Sequence, residues 1–114
     1  MDSVDLESVF RDLARSPDLK PFRELIEPLI AYDDRRRRGD LVRTLSVFFA
    51  SKANVSDTAD RLFLHRNSVL YRLARIQELT GLDLRDPRAR LALQLGLLAI
   101  EGREGNSDAE AEHA

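Results

Sequence analysis

With 114 residues, 43% of them hydrophobic, the chain has the length of one domain and enough apolar content for one core. Five glycines and four prolines are too few for a turn-rich β architecture, and the absence of cysteine excludes disulfides, thiolate metal sites and thiol catalysis. The net charge of −2 is unevenly spread: residues 1–34 carry −5, residues 35–90 carry +7 from thirteen basic against six acidic side chains, and residues 91–114 carry −4.

Leu6, Val9, Phe10 and Leu13 recur at the i, i+3, i+4, i+7 spacing of an amphipathic helix, with Ser3 or Asp5 available as N-cap and Pro17 to end it. Phe22, Leu25, Ile26 and Leu29 repeat that spacing behind Pro21, which predicts a second, short helix limited by Pro28. The run YDDRRRRG, Tyr32 to Gly39, has no apolar periodicity and reads as a solvated boundary. Its four arginines also suit an arm laid along a phosphate backbone or into a minor groove. Asp40 is the expected cap of a third helix reaching about Lys52, with Leu41, Leu45, Phe48 and Phe49 as its stripe.

Asn54 and Val55 interrupt, and Ser56 is the expected N-cap of a short helix from Asp57 to about Phe63, with Ala59 and Leu62 facing inward. A longer helix runs from about Arg66 to Thr80 on Val69, Leu73, Ile76 and Leu79, and Gly81, tolerant of positive φ, closes it. Leu82 and Leu84 anchor the next loop, and Asp86-Pro87 opens a last helix that ends by Gly102. Leu91, Leu95 and Leu98 form one stripe on it, while Leu93, Leu97 and Ile100 form another. A helix apolar on two sides is buried on two sides, here against the domain and against either the N-terminal helices or a second copy. From Arg103 onward the acidic sequence lacks periodicity and predicts a disordered tail. The expected architecture is an all-α, small helical bundle: residues 1–39 as an N-terminal helical appendage with a basic linker, 40–102 as the main domain, 103–114 as tail.

A short helix, a tight turn and a longer helix, with alanine where the two must approach, form the pattern of a helix-turn-helix. Leu64 and Val69 fix the angle, which leaves Arg66, Asn67, Ser68, Tyr71, Arg72 and Arg75 outward. Arginine grips guanine or phosphate, asparagine pairs with adenine, and hydroxyls reach phosphates or base edges. Ser56 and Thr58 lie near the start of the short helix, where a phosphate can dock, although Ser56 serves equally as a cap. His65 reads as an N-cap-like residue or a phosphate contact. The other histidine, His113, is in the tail, so neither a catalytic base with its partners nor a zinc site is expected. Phe63 stands where such turns usually place glycine, and the expectation is an αR or bridge conformation with its ring packed on the neighbouring helix. Since phosphate responds to the field within a Debye length of about 8–10 Å, the basic middle can serve DNA on an acidic chain. The competing reading is a helical interaction or dimerisation domain whose arginines are merely solvated.

Residues 58–95, TADRLFLHRNSVLYRLARIQELTGLDLRDPRARLALQL, closely resemble the C-terminal DNA-binding domain of the PucR family of bacterial transcription regulators. The resemblance covers nearly all of residues 41–100, and PFRELIEPLIAYD before it resembles the segment leading into that domain. The stretch A-x-x-L-x-L-H-R-N-S-V is also similar to the Fis-type helix-turn-helix, in which the second helix enters the major groove. The resemblance implies a regulator that binds double-stranded operator DNA, usually as a homodimer, with no catalytic role. Family members commonly carry a ligand sensor in a long N-terminal region. This chain has no room for one, so no small-molecule effector or cofactor is expected, and the first 40 residues fit either the end of such a region or a dimerisation element. The apolar run at 91–100 is interrupted by Gln94 and is half the ~20 residues of a membrane span, and MDSVDLESVF has no signal-peptide pattern. A soluble cytoplasmic domain is the expectation.

Overall fold

The computed structural model describes residues 4–36 and 40–113, with side chains through residue 102. These form six α-helices: α1 (Leu6–Ala14), α2 (Lys20–Arg35), α3 (Leu41–Ala50), α4 (Val55–Leu62), α5 (Arg66–Thr80) and α6 (Pro87–His113). A 3₁₀ turn, Pro17–Leu19, joins α1 to α2, and no strand occurs among the described residues, so the all-α expectation holds.

One core is assembled from the expected stripes. Ile26 and Leu29 of α2, Leu45 and Phe48 of α3, Ala59 of α4, Val69 and Ile76 of α5, and Leu93 of α6 all belong to it. Full burial of each large apolar side chain stabilises the fold by about 1.5–3 kcal/mol. That packing, more than propensity, maintains helices as short as α4, which would be marginal alone.

Several helix ends are capped as the sequence suggests. Asp5 opens α1 by accepting the N–H groups of Glu7 (3.1 Å) and Ser8 (3.4 Å), whereas Ser3 lies outside the described residues. Asp86 accepts the Arg88 N–H at 2.9 Å at the start of α6. Gly81, at φ 72°, closes α5 with its N–H on the Gln77 carbonyl at 2.8 Å.

Other ends differ from expectation. Asp40 makes no side-chain cap; Asp33, near the end of α2, does this instead, accepting the Leu41 N–H at 2.8 Å and the Val42 N–H at 3.1 Å. A carboxylate on two free N–H groups at the positive end of a helix satisfies both and ties the end of α2 to the start of α3. Nor does Ser56 cap α4. Asn54 accepts the Asp57 N–H at 2.9 Å, and the helix begins at Val55. α3 stops at Ala50, two residues early, because Lys52 and Ala53 adopt positive φ in the turn that follows.

α2 is not short: it runs 16 residues straight through Pro28. The proline deletes the bond to the carbonyl of exposed Glu24, a cost of about 3 kcal/mol that burial of Ile26 and Leu29 on the other face offsets. α6 likewise continues as helical backbone to His113, past Gly102 and through the stretch expected to be disordered. The alanines and glutamates near its end favour helix without any apolar period.

α2 and α6 make the most extensive helix–helix contact. Gly96 makes it possible, since a Cβ there would stand 2.5 Å from the Phe22 carbonyl oxygen and 2.6 Å from Ile26 Cγ1. α6 meets α1 and α3 as well as α2, consistent with its two apolar stripes, but Leu91 stays 57% exposed.

Candidate nucleic-acid interface

The α4–α5 turn is built by hydrogen bonds that dictate its backbone. The Leu64 N–H reaches back to the Ala59 carbonyl (2.9 Å) and the Phe63 N–H to that of Asp60 (3.3 Å), the paired bonds of a Schellman motif. That motif requires a left-handed residue between helix and exit, and Phe63 supplies it at φ 56°, ψ 41°. The αR or bridge conformation expected for Phe63 is therefore wrong, and so is the packed ring: Phe63 is 93% exposed. Ala59 is buried at the helix crossing as expected, and Leu64 is half-buried. A short helix and a longer one held through this turn and a shared core define a helix-turn-helix.

His65 caps α5. Its Nδ1 accepts the Asn67 N–H at 3.0 Å, so the neutral imidazole carries its proton on Nε2, an exposed donor at the head of the helix. Beyond it, Val69, Leu73 and Ile76 point into the core, and the opposite face is led by Asn67, Tyr71 and Ala74, all exposed. Arg66 and Leu70 occupy one flank; Arg66 makes no ion pair among the described residues, and Leu70 is 40% exposed. Leu70 was not anticipated, yet the sequence holds the signal: it lies one residue off the Val69–Leu73–Ile76 stripe.

Ser68, Arg72 and Arg75 occupy the other flank, facing α2 and α3. Asn67, Ser68, Tyr71 and Arg72 line one wall of a cleft of about 630 Å³, and Tyr32, Arg36, Asp40 and Leu41 contribute the opposite side. Two of the arginines expected to face outward are partly engaged here. Arg72 is half-buried and donates to the Thr44 hydroxyl at 3.1 Å. Arg75 pairs with Glu78 at 2.9 Å, donates to the Tyr71 hydroxyl at 3.1 Å, and lies 5.7 Å from the Tyr71 ring centre and 5.9 Å from that of Tyr32. The hydrogen bond from Arg75, aided by its charge, lowers the Tyr71 phenol below its ordinary pKa, and the same bond raises that of Arg75.

Of the remaining candidates, Thr58 is fully buried with its hydroxyl donating to the Asn54 carbonyl at 2.7 Å, so it has no surface to offer DNA. Its side chain secures the first turn of α4 from inside. Ser56 is exposed in the first turn of α4, about 10 Å along that helix from the turn into α5. No group of three metal-ligating side chains occurs among the described residues, and none of their helices is long and apolar enough to cross a membrane.

The fold is of the helix-turn-helix class. The sequence profile of the PucR C-terminal helix-turn-helix domain matches residues 41–99, and the chain belongs to that family. It is 39% identical over 80 residues to the purine catabolism regulatory protein of Bacillus subtilis (strain 168), covering 70% of this chain and 15% of that protein. To the carbohydrate diacid regulator of Escherichia coli (strain K12) it is 42% identical over 80 residues, covering 70% and 21%. To the proline-responsive transcriptional activator PutR of B. subtilis it is 32% identical over 73 residues, covering 64% and 18%. The chain thus spans about a fifth or less of the length of these curated relatives. No solved structure matches it. The family is that of a helix-turn-helix domain, and the relatives that share it are regulatory proteins.

Proposed function

We propose that this domain recognises a specific duplex operator by seating α5 in the major groove, with Asn67 and Tyr71 toward base edges and Arg66 and Arg72 beside them. The observation that carries this reading is the division of α5 into a buried apolar face and an exposed face of donors, headed by the His65 cap. An asparagine amide matches adenine, an arginine fork matches guanine, and exposed Leu70 offers an apolar surface for a thymine methyl. His65 Nε2 and the Ser68 hydroxyl take phosphate in this reading. Arg75 acts on this face by holding the Tyr71 hydroxyl, and Ser56 is a peripheral backbone contact.

The protein works as a homodimer in this reading. Leu6, Val9 and Phe10 of α1 and Leu91 of α6 are each about half exposed or more, an apolar surface that a second copy would cover. Two α5 helices then address half-sites about 34–36 Å apart or a multiple of that. Sedimentation equilibrium should show a dimer at tens of micromolar, and a strict monomer would remove this part.

Selection of bound sequences from a random duplex pool tests the central reading. A defined half-site should emerge, and Asn67→Ala and Arg66→Ala should each weaken binding by about 1–3 kcal/mol while relaxing preference at one base position. Unchanged affinity and preference in both variants would show that α5 is not the reading helix.

A further inference from the structure

We infer that the DNA-binding surface extends beyond the helix-turn-helix onto the end of α2, where Tyr32 and Arg36 form a built contact for a backbone phosphate. This rests on the proposed seating of α5 in the major groove. Both residues lie outside the stretch matched by the family, 41–99.

The end of α2 stands beside the Ser68–Arg72 flank of α5, across the same cleft. A helix in the major groove, about 12 Å wide, has a phosphate strand along each flank, so an element overhanging one flank meets that strand. Arg36 is the cation placed there. Its guanidinium carbon lies 5.1 Å from the centre of the Tyr32 ring, and it is exposed and makes no ion pair among the described residues. Tyr32 also receives Arg75, so one ring orients a cation from α2 and one from α5.

The placement is preorganised. Asp33 fastens the last turn of α2 to the Leu41 and Val42 N–H groups, which fixes where the segment after Tyr32 leaves the helix. The same bonds turn the Asp33 carboxylate toward the positive end of α3, which offsets part of its charge. Asp40 also lines the cleft and opposes an anion, but Arg36 and Arg72 outweigh it. A guanidinium on an aromatic face keeps its N–H edge open, so Arg36 can donate to phosphate without leaving the ring.

The test is the salt dependence of operator affinity for the full chain, comparing wild type with Arg36→Ala, Tyr32→Ala and Arg66→Ala. Arg36→Ala should reduce the slope of log affinity against log salt by about 0.9, the loss of one phosphate contact, and leave base preference unchanged. Tyr32→Ala should reduce it by less, since the cation persists without its support. Circular dichroism should show unchanged helix content for Arg36→Ala, whose side chain is exposed. If Arg36→Ala binds with wild-type affinity and slope while Arg66→Ala weakens binding, the extension onto α2 is overturned and the reading of α5 stands. If the wild-type chain binds no duplex from a random pool, the reading of α5 falls and this inference falls with it.

Discussion

Helices α1 and α5 share an apolar spacing and meet different surroundings. On α5 the stripe of Val69, Leu73 and Ile76 is at most 8% exposed, because α2, α3 and α4 all pack around it. On α1, Leu6, Val9 and Phe10 are 62%, 48% and 51% exposed, and no residue of the helix is buried. Periodicity determines which face of a helix is apolar, but only neighbouring elements determine whether that face is covered. Ile76→Ala should therefore cost about 2–5 kcal/mol in urea unfolding, by lost burial plus a cavity. Phe10→Ala should change monomer stability by no more than about 0.5 kcal/mol and act on self-association instead. Equal costs at the two sites would mean that α1 is docked far more firmly than its exposure allows.

Gly96 sharpens the same contrast at the α2–α6 crossing. In an exposed helix, Gly→Ala stabilises by about 1 kcal/mol, because alanine loses less backbone entropy on folding. Here the new methyl would meet the Phe22 carbonyl, which α2 holds in place, so Gly96→Ala should destabilise by about 1–3 kcal/mol through overpacking. The sign is the readout: a higher thermal midpoint would show that α2 and α6 can move apart freely.

Phe63 tests the turn between the DNA-facing pair, and the effect expected is smaller. A left-handed conformation strains a residue with a Cβ, while a ring that is 93% exposed contributes almost no burial in return. Phe63→Gly should raise stability by about 0.5–1 kcal/mol, less than the relief of strain because glycine costs more entropy to order. A loss of stability in chemical denaturation would reveal contacts of the ring that its exposure denies.

These sites also show what the sequence can disclose. The α5 stripe, the Gly81 stop and the Asp86 start were legible because each depends on residues within a turn or two. Phe63 departs from residue preference because the Leu64-to-Ala59 bond, which no local sequence pattern announces, dictates left-handed backbone there. Asp33 was missed as the cap of α3 because it acts across eight positions, over a run of arginines that read as a boundary. At the candidate site, the outward residues of α5 followed from its period. Their partners did not: Thr44 and Tyr32 come from other helices, and no local pattern announces a tertiary hydrogen bond or a cation over a ring.

The Asp5 carboxylate gives α1 an acid sensitivity of its own, the smallest effect expected. Asp5 caps α1, and a hydrogen bond from the Ser8 hydroxyl, followed by one from the Ser8 N–H, lowers its pKa below the ordinary aspartate value. A carboxyl whose folded pKa is depressed contributes stability that is present above its unfolded pKa, near 4, and is lost as pH falls through the lower folded value. Acidification below about pH 4 should thus loosen the first turn of α1. α5 has no carboxylate in its first turn and its stripe is buried, so this carboxylate route does not reach it. The Ser8 amide shift, followed by nuclear magnetic resonance, should titrate in that window, and Asp5→Asn should abolish the titration while preserving the helix, because asparagine caps as well as aspartate without ionising. A Ser8 shift that still titrates in Asp5→Asn would assign the acid sensitivity to another carboxylate and leave α1 held by its contact with α6.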